Sequence, residues 1–365
     1  MNLLVIEQCS EFGGVQQNLL EFLSTLRNGG WTIEIGHPGN AALEARAHHL
    51  QIPTHRVAYV PGRPAAALWT VATPLLAWQI RRLALRSRAD ILYVNSAHLL
   101  PACAMAELHL PLLFHCPAYM GPGALRTLAG TALGRMEAWV AGPCEFVAAP
   151  WREFVPESRV SVIHDGVPGP DGHPRPSASG PPHVGCIGRI SPEKGQHYFV
   201  AAAARIHEKL PACRFTIYGS PRRNNRDAAV YDSEIRADAA GLPVNFAGWV
   251  DDVYSCLAEL DLLLAPSNGY ESSTRVILEA FASGVPVIAF PSGGIPEIVK
   301  SGVNGLLTRD VDDMARRAVE LLTGDARRLI HMAHTARATW LRRFRPEQNH
   351  RQILHLLETM TPVNT

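Results

Sequence analysis

The chain has 365 residues, too many for one ordinary core, and it reads as two domains. Hydrophobic residues make up 47% and charged residues 18%, which is enough apolar material for buried sheets and too much for a disordered chain. Lys plus Arg number 34 against 33 Asp plus Glu; this balance excludes a global field drawing the molecule to nucleic acid or to an anionic membrane, so any anion site is local.

The first segment, Met-Asn-Leu-Leu-Val-Ile-Glu, has no basic leader and meets Glu7 too early for a signal peptide, so residues 3–6 are expected as a first buried strand. A helix is expected over 15–27. Strands are expected at 31–36, 91–94, 112–114, 146–149 and 160–163, the rhythm of a parallel sheet flanked by helices. The apolar stretch 65–80 contains Pro74 and Gln79 and falls short of the ~20 apolar residues that span a bilayer. The seven cysteines are scattered with no C-x-x-C spacing, which fits reduced thiols in a cytosol. From Gly166 onward Gly, Pro and Ser dominate, a composition that holds neither helix nor interior strand, so 166–183 is expected as the interdomain linker.

Beyond it the rhythm restarts, with strands expected at 184–187, 214–218, 244–246, 262–265 and 285–290 and a helix over 195–210. Residues 312–360 are helical in pattern, broken at Arg345 and Pro346. The expected layout is an N-terminal Rossmann-like domain over 1–165, the linker, a second Rossmann-like domain over 184–340, and a C-terminal helix, 341–365, crossing back to the first domain. Doubly wound sheets bind ligands beyond the carboxyl ends of their strands, so the chemistry is expected in a cleft there.

The most informative stretch is Pro266-Ser-Asn-Gly-Tyr-Glu-Ser-Ser-Thr-Arg-Val-Ile-Leu-Glu, continuing to Ala289. It follows a strand and opens a helix that Ser272, Ser273 or Thr274 can cap and Gly284 can stop. The free N–H groups at that helix start suit a diphosphate. Glu271 and Glu279 flank it, with seven residues between; carboxylates beside an anion site grip sugar hydroxyls through charge-assisted bonds. Read singly, Glu271 complements a helix dipole and Glu279 is a helix-surface acid. In Val184-Gly-Cys-Ile-Gly-Arg-Ile-Ser-Pro-Glu-Lys-Gly, Arg189 and Lys194 straddle a turn after a strand, where cations stabilise negative charge growing on a leaving diphosphate. Gly13 and Gly14 follow the first strand and allow close backbone approach to an anion. His115 ends an apolar strand, and Asn95, Ser96 and His98 follow another.

The segment from Glu271 to Glu279 resembles the E-x7-E signature of retaining glycosyltransferases of the GT-B fold, in particular glycosyltransferase family 4; Gly188-Arg189…Lys194-Gly195 is similar to a second element of that family. The resemblance is strongest over 184–307, where Gly293-Gly294-Ile-Pro-Glu also falls. It implies an α/β fold of two Rossmann-like domains facing across a deep cleft, and transfer of a sugar from a UDP-, GDP- or ADP-sugar to an acceptor hydroxyl with retention and without a metal. Carried over, Glu271 lies by the donor sugar and Glu279 holds the ribose. Arg189 and Lys194 act on the diphosphate, and Gly13-Gly14 closes on the donor phosphates. His115 contacts the sugar, Gly219 and Val250 lie by the base, and Asn95, Ser96 and His98 line the acceptor side. Family members often have Phe-Gly between the glutamates where this chain has Ser272-Ser273. A nucleotide-sugar epimerase, a sugar phosphorylase or a non-catalytic sugar-nucleotide-binding protein on the same fold are the alternatives. The acceptor class is a glycan, lipid or small molecule. Arg81, Arg82, Arg86 and Arg88 have two readings: an interfacial helix touching the inner membrane face peripherally, or an amphipathic surface helix.

Overall fold

The computed structural model describes residues 1–8, 13–60, 66–170, 180–222 and 225–360. Glu11 and Phe12 of the glycine turn, 171–179 of the Pro/Gly-rich segment, and Arg223 and Asn224 lie outside the described residues, and so does Ala65. The chain divides into two compact units, one of Met1–Asp165 with Pro346–Thr365 and the other of Gly166–Arg345.

In the first unit seven strands, β1 (Asn2–Ile6), β2 (Thr32–His37), β3 (Thr54–Arg56), β4 (Ile91–Val94), β5 (Leu112–His115), β6 (Ala138–Gly142) and β7 (Val160–Val162), form one parallel sheet in the order 3-2-1-4-5-6-7. In the second unit β8 (His183–Ile187), β9 (Arg214–Tyr218), β10 (Val244–Gly248), β11 (Leu262–Ala265), β12 (Val287–Ala289) and β13 (Leu306–Leu307) form a parallel sheet in the order 10-9-8-11-12-13. Each order reverses once, between β1 and β4 and between β8 and β11, and these switch points are where open α/β sheets take ligands. Helices cover both faces of each sheet, so the strands read as near-continuous apolar runs; Ile91–Val94 and Leu262–Ala265 are buried throughout.

The apolar run 146–149, expected as a strand, is helical: Glu145–Ala148 is an α-helix followed by a 3₁₀ turn over Ala149–Glu153. The strand lies earlier, at Ala138–Gly142. Four apolar residues in a row carry no period, and Pro143, with no N–H for a ladder, ends the strand. Gly142 also lets the helix pack down, since a Cβ there would come 3.0 Å from that of Ala148. The three-residue β3 and two-residue β13 are too short to leave a pattern.

The C-terminal stretch is three helices, Val311–Thr323, Ala326–Arg343 and Pro346–Met360. The unanticipated break is at Gly324, after which Asp325 caps the next helix by accepting the Arg327 N–H at 2.9 Å. Pro346 opens the last helix, which packs on the first unit through buried Ile353, Leu357 and Met360. There Asn349 donates to the His164 carbonyl at 2.7 Å, and the His350 ring bonds Thr25 at 2.9 Å. The start of the expected linker is not free chain: Val167 is fully buried, donates to the Phe344 carbonyl and accepts from the Trp340 indole at 3.0 Å. The apolar stretch expected at 65–80 belongs to the helix Ala66–Ser87, and among the described residues no helix is long and apolar enough to cross a membrane.

Candidate functional site

In the second unit the segment after β11 runs between two neighbouring turns. On one side the Asn268 N–H donates to the Glu193 carbonyl at 3.1 Å. On the other the Gly294 N–H donates to the Glu271 carbonyl at 2.9 Å, and the Ser292 hydroxyl donates to the Gly269 carbonyl. Thus the backbone of Glu271 is fixed before the helix Arg275–Ser283 begins. Thr274 is its N-cap by position, but its hydroxyl donates to Glu271 Oε2 at 3.4 Å instead of closing on the helix backbone. Gly284, in the left-handed conformation at φ 67°, ends the helix as expected.

Lys194 Nζ donates to Glu271 Oε1 at 2.7 Å, the contact that joins the two constellations read from the sequence. The Glu271 side chain is 11% exposed and that of Lys194 28%. Such a pair keeps a cation and an anion side by side at a strand end, partly shielded from water, where charge is felt more strongly than at the surface. Arg189 does not share this contact: its guanidinium lies 2.9 Å from Glu193 Oε1, with both side chains half-exposed. An exposed i,i+4 pair is worth little, so Arg189 is held loosely. The Glu193 carboxyl lies below the usual range even though burial raises it, because its own N–H, Ser191 and Arg189 hold the anion.

Glu279 is buried in the helix, where Arg275 Nε donates to its Oε1 at 2.7 Å. It is therefore not the surface acid of the plainer reading. Two polar residues here were missed in the sequence. Gln196 is fully buried, accepts the Ser191 N–H at 3.2 Å and donates to the Arg189 carbonyl at 2.9 Å, thereby fixing the turn that carries both cations. Arg275 neutralises Glu279, and its i,i+4 spacing was the available sign. Ser272 and Ser273 are half-buried beside Glu271.

Three adjacent strands of this sheet end in glycines of positive φ: Gly188, Gly219 and Gly248. A Cβ on Gly219 would fall 1.9 Å from the Gly188 carbonyl oxygen, so the strand ends pack at backbone distance. Val250 is half-buried just beyond. Trp249 is 68% exposed and donates to Asp251 at 3.1 Å.

In the first unit, residues at the β1–β4 switch point form a buried polar cluster. Glu7 accepts from the Asn95 amide and from Gln16 Nε2, the latter at 3.4 Å. Gln16 Oε1 in turn accepts the Gly13 N–H at 3.0 Å, and Gly13 lies in ordinary extended backbone at φ −152°. Gly13 and Gly14 thus need no left-handed backbone. Ser96 precedes the 3₁₀ turn Ala97–Leu99, in which His98 is half-buried with its pKa lowered by burial.

His115 Nδ1 meets the Tyr93 hydroxyl at the end of β5. Burial lowers the His115 pKa to about 4 and, with help from Glu7 and Asp165, raises that of Tyr93, so both are neutral near pH 7. A depressed histidine stabilises the fold above its unfolded pKa of about 6.5, and that stability is lost as pH falls from there towards 4. His115→Gln is expected to remove this residue's share of the acid-side loss in urea-unfolding stability, on the order of 3 kcal/mol across that window. An unchanged loss would refute the buried neutral ring.

The sequence profile of glycosyl transferases group 1 matches residues 181–324. A GDP-mannose-dependent monoacylated alpha-(1-6)-phosphatidylinositol monomannoside mannosyltransferase of Corynebacterium glutamicum is 33% identical over 159 residues, 40% of this chain and 39% of that protein. A D-inositol 3-phosphate glycosyltransferase of Mycolicibacterium smegmatis is 33% identical over 204 residues, 50% of this chain and 45% of its own. The chain thus spans less than half the length of these curated relatives. Among solved structures, Anabaena HepE in complex with UDP and glucose superposes with a TM-score of 0.81 at 22% identity, covering 98% of this chain and 99% of that one. Sucrose-phosphate synthase from Thermosynechococcus elongatus gives 0.78 at 17% identity, covering 98% of each. Residues 181–324 of this chain thus resemble the glycosyl transferases group 1 domain, and the chain shares the GT-B fold of these solved structures.

Proposed function

We propose that this protein transfers a sugar from a nucleoside diphosphate sugar to an acceptor hydroxyl in glycoconjugate synthesis, as a retaining enzyme of glycosyltransferase family 4. The observation that carries the reading is the Lys194–Glu271 contact at 2.7 Å beside the start of the helix Arg275–Ser283. Lys194, with Arg189, meets the negative charge that builds on the diphosphate as the glycosidic bond breaks, and the helix start adds backbone N–H groups. Glu271 orients the sugar, with Ser272, Ser273 and Thr274 beside the phosphates, and Glu279 binds the ribose. Gly219 and Val250 border the base. In the first unit the neutral His115 positions a sugar hydroxyl, Gly13 and Gly14 serve the donor phosphates, and Asn95, Ser96 and His98 serve the acceptor.

Retention follows if the acceptor attacks from the leaving-group face while a donor phosphate oxygen takes its proton. The relatives named above support a diphosphate donor as a class: one is named for GDP-mannose, and HepE was solved with UDP. Their inositol phosphate and phosphatidylinositol acceptors place lipid or inositol glycans among the acceptors to test. With Lys194 and Arg189 supplying the charge, EDTA is expected to leave the rate unchanged. Burial pushes the thiols of Cys103, Cys116, Cys186 and Cys213 up to about 12, which suits reduced cysteines in a cytoplasm.

A thermal-shift screen of UDP-, GDP- and ADP-sugars tests the reading, since a ligand of the folded state raises the midpoint. At least one is expected to do so, and transfer from it should give a product with the donor's anomeric configuration by NMR. Glu279→Gln is expected to weaken that donor's binding by about tenfold to a hundredfold, the size of a lost charge-assisted hydrogen bond. Failure of every nucleotide sugar to shift the midpoint would defeat the proposal.

A further inference from the structure

The outer face of the helix Ala66–Ser87 is apolar where an ordinary surface helix is polar. Val71 is 70% exposed, Leu75 46%, Trp78 56% and Leu85 67%, while Leu76, Ala77, Ile80, Leu83 and Ala84 are buried against the sheet. At about 100° per residue the four exposed side chains fall in one stripe roughly 100° wide, and Arg82 and Arg86 fall in the same stripe. The helix is therefore apolar on both sides, with guanidinium groups set into the outer one.

The four arginines of this stretch are not equivalent. Arg81 Nη1 donates to the carbonyls of Ala106 and Glu107 at 3.0 and 3.5 Å, which ties it to the neighbouring turn. Arg82 lies over the Trp78 ring at 5.4 Å. Arg86 reaches His55 at 3.0 Å and lies 3.6 Å from Glu34. Together with Arg56, Arg82, Arg86 and Trp78 rim a pocket of about 390 Å³ beside β3, its lining completed by Gln79 and Leu83 among others. A basic pocket thus adjoins an exposed apolar stripe.

We propose that this face docks the protein on the surface of an anionic bilayer, with Val71, Leu75, Trp78 and Leu85 in the headgroup–acyl boundary and Arg56, Arg82 and Arg86 on lipid phosphates. The chemistry matches side by side: an amphipathic helix with a tryptophan and arginines on one face lies in the interface plane, and the indole prefers headgroup depth. A second copy of the chain fits less well, because pairing two such stripes gathers the Arg82 and Arg86 guanidinium groups of both copies, four like charges, into one apolar interface. The inference stands on this face alone, independently of the donor reading.

Flotation with vesicles of phosphatidylcholine plus phosphatidylglycerol, and of phosphatidylcholine alone, tests it. The wild-type chain is expected to float with the anionic vesicles and to be released as salt rises. The variants Arg82→Glu/Arg86→Glu and Trp78→Gln/Leu85→Gln each lower the bound fraction at least about tenfold. Arg327→Glu/Arg328→Glu, the same charge change at exposed sites on another helix, leaves it in place. All three variants keep a single cooperative urea-unfolding transition, so a loss of binding is not a loss of fold. No flotation of the wild type overturns the proposal. So does an equal loss in the Arg327/Arg328 control, or a concentration-dependent dimer that the stripe variants dissolve without any vesicle binding.

Discussion

Glu271→Gln is expected to leave the chain folded and to lower sugar transfer by about a hundredfold or more. The change is nearly isosteric, so the backbone contacts of residue 271, to Gly294 and Gly269, are untouched. What it removes is the negative charge that Lys194 meets at 2.7 Å and that Thr274 meets at 3.4 Å. Losing one partner of a partly buried pair costs about 1–2 kcal/mol of stability. Losing a group that acts on the reacting sugar costs far more rate, on the order of 10²–10³. Lys194→Ala separates the two effects. If the pair is only structural, the double variant Lys194→Met/Glu271→Gln, with both charges gone, recovers activity along with stability. If the pair does the chemistry, the double variant recovers stability and stays inactive. Initial-rate assays beside urea melts on the three proteins decide it, and recovered activity would sink the assignment.

Much of this site was legible because the residues that make it are also those that mark chain geometry. Glu271 and Glu279 bracket a helix start, Lys194 sits before a left-handed glycine, Gly195 at φ 72°, and Gly284 closes the helix at φ 67°. Spacing along one chain segment survives in the sequence. Contacts between distant segments do not: nothing local says that Lys194 meets Glu271 across 77 positions. Glu7 escaped notice for the same reason, since its partner Asn95 lies 88 positions away, beyond another strand. The strand misplaced at 146–149 shows the complementary failure. There the apolar pattern was visible but had no period, and only the Gly142-Pro143 stop could have moved it. The exposed stripe of the helix Ala66–Ser87 was hidden by its own buried side, because an apolar sequence does not say which of its residues face outward.

Gly293→Ala is expected to cost about 3–4 kcal/mol and to weaken donor binding with it. At φ 54° an L side chain is strained by about 1–2 kcal/mol before it meets anything. A Cβ there would then lie 2.0 Å from the Glu271 carbonyl oxygen, which is backbone and cannot swing aside. Relief requires either this turn or the Glu271 backbone to move, with overpacking of typically 1–3 kcal/mol. Gly302 supplies the control: its φ is 81°, yet nothing lies within 4 Å of a Cβ placed on it. Gly302→Ala therefore bears the strain alone, about 1 kcal/mol, and is expected to keep the wild-type thermal shift with the nucleotide sugar. The difference between the two variants measures how tightly the 292–294 turn clamps Glu271. Equal losses in urea melts, or full donor binding by Gly293→Ala, would mean that the clamp does not hold the site.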